Sequence, residues 1–161
     1  MTTTVTPATA DDIAAVAALM RETIAAVPYY SAQAIASELT KYTGDALHAM
    51  HAADAYAVMV SRDDAGLTGF CVSRWDDATV WLSWFGVAAR ARGQGIGAAL
   101  VAALQASLPA RGAHKIWCDS RADNVESIAV LERAGFRRIA TLDDHWFHQD
   151  YLLWQWQYPK H

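Results

Sequence analysis

From Val87 to Leu100 the chain reads Val-Ala-Ala-Arg-Ala-Arg-Gly-Gln-Gly-Ile-Gly-Ala-Ala-Leu. Within it Arg92, Gly95 and Gly97 have the spacing R-x-x-G-x-G. Glycines let a backbone approach a ligand with no Cβ in the way. The free N–H groups at a helix start point outward and favour an anion, and the helix dipole adds to this. Arg90 and Arg92 contribute positive charge. Such a loop suits a pyrophosphate, which makes Arg92, Gly93, Gln94, Gly95, Ile96, Gly97 and Ala98 the candidate cofactor-binding residues. A glycine-rich turn that only joins a strand to a helix would show the same spacing. The Walker A motif needs Gly-Lys-Ser/Thr to close the loop, and Gly97-Ala98-Ala99 does not supply it. The dinucleotide fingerprint G-x-G-x-x-G is met in part by Gly93 and Gly95, with Ala98 in third place and Asp119 near the required acidic position.

Groups able to move a proton lie elsewhere. Asp119 closes an apolar, strand-like run and reads either as a base or as an ordinary strand-end carboxylate. His145, His148 and Asp150 lie in one polar connection interleaved with Trp146, Phe147 and Tyr151, which argues for more order than a bare surface loop. Tyr29 and Tyr30 follow Pro28 in a second connection, where aromatic packing beneath a sheet would account for them. The pairs His48-x-x-His51 and His145-x-x-His148 lack a clear third ligand, so no metal site is expected.

The elements that must position these residues change period along the chain. Thr2 to Thr6 is β-branched and strand-like. Ile13, Val16, Ala17, Met20 and Ile24 recur at helical spacing, and Val27-Pro28 ends that helix. Ser31 caps a second helix from Ala32 to Tyr42, with Ile35 and Leu39 on its apolar face. Gly44 breaks it, and Ala46 to Ala53 forms another short helix. Ala55 to Ser61, Leu67 to Trp75 and Thr79 to Val87 then read as strands joined by short polar turns, an antiparallel meander. Gly95 to Leu108 is helical, stopped by Pro109 and Gly112. His114 to Asp119 is a strand, and Asn124 to Ala134 a helix with Gly135 as its left-handed cap. Phe136 to Leu142 and Tyr151 to Tyr158 form a last strand pair, and the final strand is an edge able to pair with another subunit in a homodimer. Strand, helix and strand around the glycine loop make a parallel βαβ crossover. An antiparallel meander ahead of it counts against a dinucleotide-binding fold, which starts from parallel βαβ units.

The 161 residues suit one domain, with 53% hydrophobic and 19% charged residues. A net charge of −4 argues against a broad grip on nucleic acid and favours, if anything, a cationic partner. Cys71 and Cys118 sit in apolar runs as buried reduced thiols, which fits a cytoplasmic protein. There is no basic-then-apolar leader and no membrane-length apolar run, so no membrane partner is expected.

R-x-x-G-x-G after the strand Val-Trp-Leu-Ser-Trp-Phe-Gly-Val87 resembles the acyl-CoA-binding motif of the GNAT superfamily of N-acetyltransferases. The run Asn124-Val-Glu-Ser-Ile-Ala-Val-Leu-Glu-Arg-Ala-Gly-Phe136 is similar to that family's second motif, and the element order matches end to end. The resemblance implies an α/β (α+β) fold with a mixed, mostly antiparallel sheet of about seven strands flanked by helices, whose fourth and fifth strands splay apart. It implies acetyl-CoA as cosubstrate, an arm paired with backbone at Phe85, Gly86 and Val87, a pyrophosphate on the Arg92 to Ala98 loop, and Asn124 beside the arm. Asn124 also reads as a helix N-cap, and both roles can hold. The acceptor would be a small-molecule or peptide amine bordered by Tyr29, Tyr30, Trp84 and His145. In two respects the sequence departs from the family. Leu131 stands where many members carry a tyrosine general acid, and Thr79 to Val87 contains no acid. The candidates for proton transfer are then Asp119, His148 and Asp150, and the alternative is a non-catalytic acyl-CoA-binding or sensing module.

Overall fold

In the computed structural model, which describes residues 3–160, apolar periodicity sorts the chain into helices and strands largely as the pattern predicts. Strand β1 is Val5–Pro7, and Thr2 of the expected strand lies outside the described residues. Helix α1, Ile13–Ala25, buries Ile13, Val16, Met20 and Ile24. Ser31 Oγ accepts the Ala34 N–H at 3.1 Å to start α2, Ala32–Lys41. Thr43 does the same for Ala46 at 3.2 Å, so Gly44 begins α3, Gly44–Ala53, rather than merely ending α2. Strands β2 (Val58–Asp63), β3 (Gly66–Asp76) and β4 (Thr79–Val87) form the meander. Asp77 and Ala78, both at positive φ, make the tight β3–β4 turn. Then follow α4 (Ile96–Arg111), β5 (Lys115–Arg121), α5 (Val125–Arg133), β6 (Arg137–Leu142) and β7 (Tyr151–Gln157).

Two expectations are corrected. Helix α4 runs through Pro109 and ends at Gly112, whose φ is 63°. Proline withholds one N–H from the last turn, but that turn is held from outside. The Arg111 side chain, 2% exposed, reaches Asp54 Oδ2 at 2.7 Å and Ser73 Oγ at 2.8 Å. The second correction concerns the edge. The sheet order is β1-β2-β3-β4-β5-β7-β6, so β7 is interior and β6 is the outer strand. A hairpin return places β7 against β5 along its whole length, from Lys115/Gln157 to Arg121/Tyr151.

All strand pairs are antiparallel except β4 and β5, which α4 joins as a parallel pair. Apolar residues fill both faces. Leu100, Leu104 and Leu108 of α4 pack with Ile116, Leu131 and Trp154 on one side. Ile13, Val16 and Met20 of α1 pack with Leu47 and Phe70 on the other.

Candidate functional site

The site begins where β4 and β5 part. They pair only at Thr79/Lys115, Val80/Ile116 and Trp81/Trp117, although both strands continue beyond. A bulge lies just past that point. Val72 faces Trp84 and Ser73 faces Leu82, which leaves Ser83 without a partner on β3. An extra residue of this kind bends and twists its strand. The result is a wedge-shaped gap whose β4 side is open backbone. The Ala88 N–H donates to the Thr68 carbonyl at 2.8 Å. By strand alternation Gly86 and Trp84 therefore turn their peptide groups to β3, while those of Phe85 and Val87 face the gap.

One end of the gap meets the glycine loop. Gly93 and Gly95 have φ of 77° and 76°, the left-handed region, with open space where a Cβ would stand. Gly95 caps α4 without a side-chain hydrogen bond, and the first intrahelical bond is Ala99 N–H to Gly95 carbonyl at 3.1 Å. The N–H groups of Ile96, Gly97 and Ala98 are thus left to point out of the helix end. Arg92, Gln94 and Ala98 are exposed around them, while the Ile96 side chain is buried. Arg92 makes no ion pair among the described residues. Arg90 differs from the expectation that it lends charge to the loop, because it grips Asp63 at 2.7 and 2.9 Å and the Leu67 carbonyl at 3.1 Å. These residues fit a pyrophosphate followed by an extended arm: a helix N-terminus, two left-handed glycines with room above them, and a strand with unpaired peptides.

Asn124 Oδ1 accepts the Ser127 N–H at 3.2 Å, so it caps α5. Gly86 proves special for another reason than ligand approach. A Cβ there would stand 2.6 Å from Phe70 Cζ, on the α1 side of the sheet. Leu131 is 1% exposed in the α4 core and supplies packing alone.

The other end of the gap is aromatic. Tyr30 lies edge-on to Trp84 at 6.3 Å, to Trp146 at 5.3 Å and to Tyr29 at 5.7 Å. Tyr29, Tyr30, Ser31, Ala34, Trp146, Phe147, Gln149 and Tyr151 line a cleft there. Arg121 ties the α1–α2 connection to β5, donating to the Tyr29 carbonyl at 2.9 Å with its guanidinium 4.3 Å from the Tyr29 ring. Burial pushes the Tyr151 phenol up to about 12 and Tyr30 higher still, so both are neutral donors at physiological pH. Asp119 is half-buried beside this cleft. Burial raises its carboxyl above the usual range, His145 pulls it back, and the charge of Glu38 adds to the rise.

Of the sequence candidates, Asp119, Tyr29, Tyr30 and Trp84 gather at the gap. His145 stacks edge-on to Tyr151 at 5.8 Å from an exposed position. His148 and Asp150 do not join them. The His148 side chain is 90% exposed and bonds Asp144 at 2.8 Å, and Asp150 accepts the Asp144 N–H at 2.9 Å. Both serve the β6–β7 connection, where Asp144, Phe147 and His148 all hold positive φ. Glu38 was not foreseen. It is 7% exposed, and its Oε2 accepts the Trp84 indole N–H at 2.6 Å. Ala34 and Glu38 are the buried residues of α2, whereas the expected face, Ile35 and Leu39, is half-buried. The only signal was a glutamate one turn after Ala34. Among the described residues no group of three or more His, Cys, Asp or Glu is placed to hold a metal ion.

A model of the acetyltransferase (GNAT) family matches residues 20–136. The chain belongs to this family. It is therefore an acyltransferase with acetyl-CoA as cosubstrate. No curated protein sequence matches it. Solved structures share the fold. yncA of Salmonella typhimurium, with its cofactor acetyl-CoA, is 22% identical, with 99% of this chain and 95% of that one covered at a TM-score of 0.81. The ribosomal-protein-alanine N-acetyltransferase of Brucella melitensis is 23% identical, with 96% and 99% covered at 0.77. The paia N-acetyltransferase of Thermoplasma acidophilum, in complex with coenzyme A, is 16% identical, with 98% and 100% covered at 0.79.

Proposed function

We propose that this GNAT protein transfers the acetyl group of acetyl-CoA to the primary amine of a small molecule or peptide by direct attack on the thioester. The observation that carries the reading is the β4–β5 gap, with free helix N–H groups at one end and a half-buried carboxylate beside an aromatic cleft at the other. The loop amides from Arg92 to Ala98 hold the pyrophosphate. The peptide groups of Phe85 and Val87 grip the arm, and Asn124 reaches it from the start of α5.

An alkylamine has a pKa of about 10.4 and must lose a proton before it attacks. Asp119 takes that proton, directly or through one water, and its raised pKa makes it a better base than an exposed aspartate. The nitrogen bonds the thioester carbon and the C–S bond breaks. The Val87 N–H, pointing into the gap, steadies the oxyanion. The nitrogen sheds its second proton as the amide forms, and the departing thiolate, with a pKa near 8.5 by analogy with cysteine, takes up that proton through water and needs no tyrosine. The acid-free β4 and Leu131 are thereby accommodated. Tyr29, Tyr30, Trp84 and His145 border the acceptor, and no catalytic role is assigned to His148 or Asp150. Free, buried Cys71 and Cys118 suit a reducing cytoplasm, and no helix of the described residues is long and apolar enough to cross a membrane.

The test is thiol release from acetyl-CoA over a panel of amines. Amine-dependent release supports the proposal. Release with no amine on the panel, while acetyl-CoA still raises the melting temperature, would refute it in favour of a binding module.

A further inference from the structure

We infer that the acceptor is a compact alkylammonium without a carboxylate, and that Glu38 receives its charge on the floor of the aromatic cleft. This rests on the reading of the chain as an amine acetyltransferase and narrows its substrate class.

Three observations support it. The first is that the site already holds an alkylammonium. Lys41 Nζ lies 2.7 Å from Glu38 Oε1 and 5.5 Å from the centre of the Trp146 ring. That side chain is 49% exposed and lies in the last turn of α2, three residues after Glu38. A carboxylate below and an indole face beside it are the two partners an ammonium prefers. Lys41 occupies them as a tethered stand-in, and an incoming amine competes for the same pair.

The second observation is the sign of the charge. Glu38 lies one turn from cleft-lining Ala34 on the same face of α2, and its charge is felt by Tyr30, Tyr151 and Asp119. Two carboxylates, Glu38 and Asp119, thus act electrostatically on the cleft residue Tyr151. The nearest guanidinium, Arg121, is committed to Asp123 at 2.6 Å and to the Tyr29 carbonyl. An acceptor carboxylate would face the charges of Glu38 and Asp119, while among the described residues Arg121 and Lys41 are paired with Asp123 and Glu38.

The third observation is the roof. Tyr30 touches both Trp84 on the sheet and Trp146 in the β6–β7 connection. Trp146 also packs edge-on to Tyr151 at 6.2 Å. A polypeptide laid across the gap would have to part these contacts, whereas a short alkylamine fits beneath them.

The experiment uses the full chain with butylamine (cationic at pH 7.5), aniline (neutral at that pH) and glycine (zwitterionic). The wild type should prefer butylamine to glycine. Glu38→Gln keeps an acceptor for the Trp84 N–H and removes the charge. It should lower the ratio of kcat/KM for butylamine over aniline by about 10- to 100-fold, the worth of a charged hydrogen bond. Lys41→Met, a change on a half-exposed side chain, should lower the KM for butylamine several-fold with KM for acetyl-CoA unmoved. An unchanged ratio in Glu38→Gln, an unchanged or raised butylamine KM in Lys41→Met, or preference for glycine would each overturn the inference. If no amine is turned over, the acetyltransfer reading fails and calorimetry decides this one separately. Butylamine binding that weakens in Glu38→Gln supports it, and binding indifferent to Glu38 refutes it.

Discussion

Gly86→Ala separates two reasons for a glycine beside the cofactor gap. If that glycine exists so that a ligand can come close, alanine should weaken acetyl-CoA. The geometry says otherwise. The new Cβ would stand 2.6 Å from Cζ and 2.7 Å from Cε1 of Phe70, and 3.3 Å from Cγ2 of Thr23. Carbon atoms prefer about 3.5–4.0 Å, so the overlap with the ring is about 1 Å. Phe70 is fully buried under α1 and cannot swing into solvent. Overpacking of this kind costs about 1–3 kcal/mol, and a rigid sheet against a locked ring belongs at the upper end. For a chain of this size about 3 kcal/mol lowers Tm by about 6–12 °C. Because the peptide of Gly86 turns to β3, the rise in Tm on adding acetyl-CoA should match that of the wild type. Phe70→Leu in the same chain should return part of the loss, a coupling of about 0.5–3 kcal/mol between touching residues. Thermal melts of the four proteins, with and without acetyl-CoA, make the measurement. A Gly86→Ala protein with wild-type Tm and a raised KM for acetyl-CoA would refute the reasoning.

Three further outcomes are expected. Asp54→Ala strips the buried Arg111 guanidinium of its carboxylate and should cost about 3–5 kcal/mol, seen in denaturant melts; a loss below about 1 kcal/mol would contradict the clamp assigned to the last turn of α4. Leu131→Tyr should lower Tm through overpacking worth about 1–3 kcal/mol and leave kcat no higher, because position 131 points into the α4 core; a gain in kcat would show that the tyrosine reaches the sulfur. Asp119→Asn should lower kcat by about 10²–10⁴-fold as the proposed base is lost yet raise Tm at pH 7. The sign follows from its raised pKa: the folded state holds the proton more tightly than the unfolded chain, so between the ordinary carboxyl value and the raised one stability falls as pH rises. The gain in Tm should therefore fade as pH drops towards about 3.9, and a gain that persists there would refute the assignment.

What the sequence made legible was local. The R-x-x-G-x-G loop, the Asn124 cap and the left-handed Gly135 each draw their geometry from neighbours within a few residues, and the period change from helix to meander is written in consecutive side chains. What it hid was long-range. That β7 inserts between β5 and β6 depends on which edge a hairpin returns to, and no spacing encodes it. That α4 survives Pro109 depends on Asp54 and Ser73, both far earlier in the chain. Ile35 and Leu39 look like the inward face of α2 because they are its largest apolar residues. The helix instead turns Ala34 and Glu38 inward, because Trp84, 46 residues on, offers an indole N–H at the sheet.

That rotation of α2 also bears on how an acid-free β4 can belong to an acetyltransferase of this family. A carboxylate planted on β4 would sit between two cores with only strand peptides for company, and an unpaired charge there is costly. Brought in on α2, the same charge arrives with its donors: Trp84 on one oxygen and Lys41 on the other. Helix α2 gives up apolar burial for it. In return the negative charge stands on an element that carries part of the aromatic cleft rather than on β4. Recognition of the amine and grip on acetyl-CoA are then separable, and Glu38→Gln should change which amine is chosen while leaving the KM for acetyl-CoA where it was. A Glu38→Gln protein whose acetyl-CoA KM rises in step with its amine KM would show that the two functions share a residue after all.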